Sequence, residues 1–467
     1  MAESPTPTPS HSSLSPTLAA QTNPTITNEK ERSKDTEATA TWNAEEPRSL
    51  TTFQKITILT ILCSAQFFDL FNGVSAIIAL PQISDALHFS PGALQWVITA
   101  YTLTFAAFLL FAGRLTDIYH PKPVFCVGYL LLGITSILCA VSVQPIMLIV
   151  FRAIQGVGAA FTYPSALAMI SHYFQDIRER NRAFALFGSF GAIGNVAGFI
   201  IGGVLTARVS WRWIFYLVGI VTIPFAVFGY FALPKLTVYQ SSEKRNLDWA
   251  GVIALSGGLI LFVYGISAGN DAGWAKPQII VTLVFSVIFV VGFFVIERTV
   301  KDPAVPPRVW STHNFLPLFL YCWSIYWTLN ASELLLIMVF QDLWGWSALK
   351  AAVHCIPIGI SGGISTNLAG VASNYLPRRV LLIGGQLLMA VAVILFALAD
   401  TPDKYWSHVL PGMIIGLVGV STGFVGANIF IMGDAAHGEE GVIGGLMNTA
   451  FQLGATVGLA GECLLIL

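Results

Sequence analysis

Charge is what this chain has least of. Only 10% of its 467 residues are Asp, Glu, Lys or Arg, where a soluble domain carries about 25%. With a hydrophobic share of 55% and a mean hydropathy of +0.71, the chain belongs in lipid rather than water. Its 24 basic residues are matched by 25 acidic ones, so it has no basic surface to hold a phosphate backbone, and nucleic acid is excluded as a partner. The six cysteines (Cys63, Cys126, Cys139, Cys322, Cys355 and Cys463) sit in apolar runs with no CxxC pair. That excludes a disulfide framework and a zinc site. There is no serine elbow, no metal-spaced cluster of His and Glu, and no Walker-type phosphate loop. Neither an enzyme nor an ATP-driven pump is expected, and neither a metal nor a cofactor.

Large apolar residues are nearly missing from residues 1–52, which are rich in Ser, Thr, Pro, Asn and Glu. Such a stretch cannot bury enough surface to offset its chain entropy and reads as a disordered tail. It also lacks the basic start and short apolar core of a signal peptide. From residue 53 the pattern inverts. Apolar stretches of roughly 20 residues, enough to cross the bilayer as helix, alternate with short polar connectors. Thirteen are predicted, at 54–80, 93–112, 123–142, 145–170, 183–205, 213–233, 248–268, 277–297, 314–338, 350–371, 380–399, 407–432 and 442–467. The fold class is therefore an all-α membrane protein. With a cytosolic N-terminus, the inner loops hold thirteen Lys and Arg and the outer loops five. That bias orients the chain N-terminus inside.

Ionisable side chains within such spans cost several kcal/mol and mark functional positions. Asp69, Arg152, Glu333 and Glu462 are the four found here. In the first span Gln66, Asp69, Gly73 and Ala76 recur at helical spacing, with Asn72 adjacent, as one polar stripe facing the bundle interior. In the fourth, Arg152, Gln155, Gly156, Ala159 and Tyr163 share a face. An Asp and an Arg in one cavity can exchange a proton for a substrate. They can equally form a static pair holding two helices, and both readings stand at this point. Glu333, with Asn330 one turn before it, is a further proton-coupling candidate, and His354 a candidate relay. Gly194, Gly198 and Gly202 form a small-residue stripe on the fifth span, with Gly203 next to it and Asn195 beside it. Arg152→Ala is expected to abolish gradient-driven transport while leaving folding largely intact.

Together these places resemble the signature motifs of the major facilitator superfamily, over about residues 54–467. Gly113-Arg114-Leu115-Thr116-Asp117-Ile118-Tyr119-His120-Pro121-Lys122 resembles its loop motif, matching at Gly113, Leu115, Asp117, Tyr119 and Lys122, with His120 where a glycine is usual and Pro121 where an arginine is usual. Arg152-Ala153-Ile154-Gln155-Gly156-Val157-Gly158 is similar to the Arg-x-x-Gln-Gly-x-Gly motif associated with proton transfer. Gly194 to Gly203 resembles the antiporter motif of spaced glycines, with Phe199 in place of its proline. Trp211 to Phe215 and Gly444 to Gly454 are similar to the fourteen-span drug and proton antiporter branch.

The resemblance implies a helical bundle of two pseudo-symmetric halves, here a six-helix half at 53–233 and a second half at 313–467, joined by two extra helices within 234–312. On a fourteen-span plan one further helix would follow, so the second half is expected to hold five. The implied activity is proton-coupled export of a small amphipathic compound by alternating access, at the plasma membrane. The protein would act as a monomer with no cofactor, the proton gradient supplying the energy. Its partners would be the small-molecule substrate, protons and the lipid bilayer. The resemblance places Asp69, Arg152 and Glu333 in proton coupling, with Glu333 facing Asp69 across the cavity. Gln66, Asn72, Gln155, Tyr163, Asn195, Asn330 and Asn428 would line the substrate cavity. Gly113, Leu115, Asp117 and Lys122 would form the conformational loop, and Gly156, Gly158, Gly194, Gly198, Gly202 and Gly203 the helix-packing positions. Uptake or efflux of a small polar nutrient or ion, such as ammonium or borate, is the rival within transport. A transport-dead membrane sensor or truncated transporter is the rival outside it.

Overall fold

The computed structural model describes residues 51–89, 91–94, 96–234, 248–300, 303, 305, 309–310, 314–346, 348–434 and 440–466. The expectation of a disordered tail therefore falls almost wholly outside the described residues. Among those residues run thirteen helices of twenty residues or more: α1 Thr52–Leu87, α2 Trp96–Tyr119, α3 Pro121–Ala140, α4 Pro145–Tyr173, α5 Ile177–Arg208, α6 Arg212–Ala232, α7 Trp249–Ala272, α8 Pro277–Thr299, α9 Phe315–Met338, α10 Ala348–Ala372, α11 Arg378–Ala397, α12 Val409–Asp434 and α13 Glu440–Ile466. Each overlaps one predicted span, with bounds shifted by a few residues. Helix is the only local answer for such segments, since hydrocarbon offers backbone N–H and C=O groups no other partner.

Among the described residues, eleven of the thirteen are long and apolar enough by themselves to cross a membrane. α9, which carries Asn330, Ser332 and Glu333, is not among them. Several helices also outrun the predicted spans. α5 starts at Ile177 rather than 183 because Asp176 caps it, its carboxylate accepting from the Glu179 N–H at 2.9 Å. The first turns then carry charge that hydropathy alone reads as loop. Proline opens α3, α4 and α8, where the missing N–H has no partner to lose.

α1 packs along α5 and more lightly on α6, while α4 packs on both α2 and α3. α9 pairs with α13, α11 with α12, and α7 with α8. Two further seams tie early helices to late ones: α5 against α10, and α2 with α4 against α13. The core between helices is dense with rings and small residues, and Tyr129, Phe71, Phe125, Phe184 and Phe187 are fully buried.

The α1–α5 contact rests on the glycine stripe. A Cβ at Gly194 would land on the Phe67 backbone, one at Gly198 on the Phe71 carbonyl and Val74, and one at Gly202 on Ser75. At Gly203 it would meet nothing within 4 Å. Gly203 is therefore not part of the packing face. Gly194→Ala should destabilise the protein by about 1–3 kcal/mol, the range for overpacking a close contact. Gly203→Ala should be neutral or slightly stabilising, since alanine is the better helix former. Thermal unfolding of the two purified variants compares them directly, and equal unfolding temperatures would refute the close-packing assignment.

Candidate functional site

Arg152 is the largest fully buried side chain among the described residues. A buried guanidinium needs acceptors, and the local fold provides two. Nε donates to the Val97 carbonyl of α2 at 2.8 Å, and Nη1 to Gln155 Oε1, one turn along α4, at 2.8 Å. Its carbon lies 4.5 Å from the centre of the Tyr101 ring and 5.8 Å from that of Phe215, so aromatic faces hold the rest of the charge. Nη2 is buried without a hydrogen-bond partner. Gln155 in turn donates to Ser136 Oγ of α3.

Asp69 does not touch Arg152 directly. Its carboxylate accepts a hydrogen bond from the Tyr101 hydroxyl, and that ring lies beneath the guanidinium. Part of the Asp69 surface stays uncovered by protein, whereas Arg152 is wholly enclosed. The static ion pair entertained from sequence is thus absent. In its place stands a relay, Asp69–Tyr101–Arg152–Gln155–Ser136, crossing four helices. α2 and α4 are held in register behind it: Thr104 Oγ1 donates to the Ala153 carbonyl at 2.7 Å, and a Cβ on Gly156 would strike Thr104 and the Tyr101 carbonyl. Gly158 makes the equivalent close approach to Leu132 of α3.

Tyr101, Ser136 and Tyr326 do not stand out in the sequence. A tyrosine hydroxyl in the middle of an apolar run has to find a partner, and that signal was there for Tyr101. Ser136 gives none, because a serine can satisfy itself on its own helix.

The other candidates divide. Asn72 is fully buried beside the Tyr101 hydroxyl, and its amide makes no hydrogen bond of ordinary geometry. Tyr163 of α4 and Tyr326 of α9 both come within electrostatic reach of Asp69. Ring contacts extend this wall, with Tyr163 5.4 Å from Phe187, Tyr326 4.5 Å from Phe451 and Phe424 5.5 Å from Phe451. Gln66 packs against Gly191 of α5, its Oε1 unpartnered. Asn330 and Asn428 each donate back to their own helix, to the carbonyls of Tyr326 and Phe424. Glu333 is not opposite Asp69. It lies two turns beyond Tyr326, about 10 Å along the helix axis, in a small cavity with Asn195 and Phe199 of α5 and Cys355 of α10. The Glu462 side chain lies outside the described residues. His354 packs into a ring cluster with Trp346 and Tyr405, 4.5 and 4.7 Å away.

The last turns of α2 and the start of α3 build a second arrangement. Asp117 accepts from the backbone N–H groups of Gly441, at 2.8 Å, and Val442, at 2.9 Å. It thereby caps α13 from another helix, where a carboxylate best offsets the unpaired N–H groups and the dipole. Gly113 and Gly441 lie backbone to backbone, so that a Cβ on either would collide with the other's carbonyl. His172 at the end of α4 approaches Glu440 at 3.8 Å on the same side. Leu115 is half-buried, and Lys122 donates to the Leu233 carbonyl at the end of α6. His120 takes φ +69°, a conformation that favours glycine, which is the residue usual at that place in the motif it resembles.

The model of the Major Facilitator Superfamily matches residues 62–459. A puromycin resistance protein of Streptomyces alboniger is 33% identical over 407 residues, 86% of this chain and 80% of that one. A low affinity ammonium transporter of Saccharomyces cerevisiae is 28% identical over 424 residues, 89% and 82% of the two chains. Among solved structures, the human organic anion transporter TETRAN superposes with a TM-score of 0.61 at 13% identity, covering 88% of this chain and 92% of that one, a likeness of fold. With a buried charged relay inside a bundle of membrane helices and this match over most of its length, the chain belongs to the major facilitator superfamily of multipass membrane transporters.

Proposed function

We propose that the protein exports a small amphipathic compound in exchange for protons by alternating access, as a monomer in the plasma membrane with its N-terminus in the cytosol, needing no cofactor. The observation that carries this reading is the relay from a partly open carboxylate, Asp69, through Tyr101 to an enclosed cation, Arg152. A proton arriving on Asp69 removes a charge that opposes Arg152 and alters what the Tyr101 hydroxyl donates to. The change passes to α2 and α4, which carry Tyr101 and Arg152 and which also pack on α13. We take α1–α6 and α9–α13 as the two moving halves, with α7 and α8 linking them. The two seams between early and late helices support that division. The aromatic wall of Tyr163, Phe187, Tyr326, Phe424 and Phe451 suits an amphipathic substrate, and the similarity to a puromycin resistance protein agrees with it.

Flux in proteoliposomes under an imposed pH gradient is the test. Asp69→Asn should remove the dependence on the gradient altogether. Tyr101→Phe, which keeps the ring and loses the donor, should slow coupled flux about tenfold or more, as expected for one hydrogen bond to a charged group. Wild-type pumping by Asp69→Asn would overturn the reading. Uptake of a small polar ion is the second reading, favoured by the similarity to the yeast ammonium transporter. Movement of substrate in the same direction as the proton would establish it.

A further inference from the structure

We propose that Glu333 and Asn195 form a binding site for a small N–H cation, the ammonium ion or the ammonium head of a protonated amine, where α5, α9 and α10 meet. Glu333 has no hydrogen bond or ion pair among the described residues, although it sits well inside α9. A bare carboxylate in apolar surroundings costs several kcal/mol unless a cation or proton neutralises it. The groups sharing its cavity are the Asn195 amide, the Cys355 thiol, the Phe199 ring and aliphatic walls, all uncharged. Among the described residues no group lining the cavity carries a positive charge, so a proton or a bound cation has to neutralise the carboxylate.

The chemistry of the cavity selects the guest. The carboxylate and the amide carbonyl present three oxygens, too few for a hard metal cation, which takes about six or more. No metal-holding group of His, Cys, Asp and Glu occurs among the described residues. Three acceptors and an aromatic wall suit a tetrahedral N–H donor carrying one positive charge. The space holds about one water-sized body, which matches an ammonium group and excludes a fully alkylated one. The site stands apart from Asp69, since Tyr326 and not Glu333 is the α9 residue in reach of that carboxylate. It also occupies the opposite end of the bundle from Asp117, on the side of the α9–α10 connection. Phe199, which departs from the proline of the motif this helix resembles, is one of its walls.

Thermal unfolding of the full chain in lipid nanodiscs tests the site. Ammonium chloride should raise the unfolding temperature above sodium chloride at equal ionic strength, and methylammonium should do so too. Tetramethylammonium, lacking N–H donors, should not exceed sodium. Glu333→Gln should weaken the apparent ammonium affinity at least tenfold, while Asp69→Asn should leave it unchanged. Should Glu333→Gln fail to fold, Asn195→Leu, which fills the cavity and keeps the carboxylate, should give the same loss. A response to n-butylammonium would identify the head group of a larger amine as a guest, and its absence the free ion. The inference falls if Glu333→Gln keeps the ammonium response, if tetramethylammonium stabilises as well as ammonium, or if Asp69→Asn abolishes the effect. These readouts need no flux, so they stand or fall independently of proton coupling at Asp69.

Discussion

Arg152→Lys should lower gradient-driven flux by about a hundredfold or more while the protein still folds and inserts. The guanidinium reaches the Val97 carbonyl with Nε and Gln155 with Nη1 while lying flat against Tyr101. A lysine ammonium is a compact point charge and cannot span those positions at once. Two hydrogen bonds from a charged donor are each worth about 1.5–3 kcal/mol, and each 1.4 kcal/mol of barrier is about tenfold in rate. Lysine nevertheless keeps the charge and most of the stem, so the hydrophobic contacts survive. Arg152→Ala is a different experiment, and in this structure it is expected to cost folding stability as well. Truncating this fully buried side chain leaves a void and an unpaired Gln155 oxygen. That combination should cost about 3–5 kcal/mol of stability. Flux and unfolding temperature measured on both variants separate the two effects. Wild-type flux with lysine would show that charge alone suffices and that the relay geometry is idle.

The number and order of the helices were legible because hydropathy acts over twenty residues at a time and needs no knowledge of neighbours. Arg152 and Asp69 were legible for the converse reason, that an intramembrane charge is costly enough to stand out alone. What periodicity could not resolve was facing. Asn330 and Asn428 read as cavity groups, yet both turn back to their own helices, because an amide in a helix can bond the carbonyl four residues before it. Gly203 looked equal to Gly202, though one residue of helix is a rotation of about 100° and carries it off the α1 contact. Glu333 was assigned opposite Asp69 by the pseudo-symmetry of two helices. Tyr326, two turns before Glu333, is the α9 group within electrostatic reach of Asp69, and a symmetry argument fixes which helix faces the cavity more firmly than which residue does.

Asp117→Asn should loosen α2 from α13 and shift the protein away from the arrangement described here. The carboxylate uses both oxygens, one for the Gly441 N–H and one for the Val442 N–H. An amide has a single acceptor, and its NH2 group would confront the second N–H. One bond is lost and the charge that faces the helix N-terminus disappears, together worth about 2 kcal/mol. A change of that size in a two-state equilibrium is about thirtyfold in population. Gly113→Ala acts on the same seam by another route, since its Cβ would collide with the Gly441 carbonyl. Agreement between the two variants would therefore locate the effect in the seam rather than in the charge. Thr116, 1% exposed and packed against Gly441, is the reporter. A Thr116→Cys protein should react slowly with a membrane-impermeant maleimide, and adding Asp117→Asn or Gly113→Ala should accelerate the reaction by about ten- to thirtyfold. On the proposed orientation the reagent gains access from the cytosolic face, which places the opening inward. Unchanged labelling in both variants would reduce Asp117 to a helix cap with no part in alternation. Faster labelling with unchanged flux would mean that this seam opens readily and that the step limiting transport lies elsewhere, at the relay on Arg152.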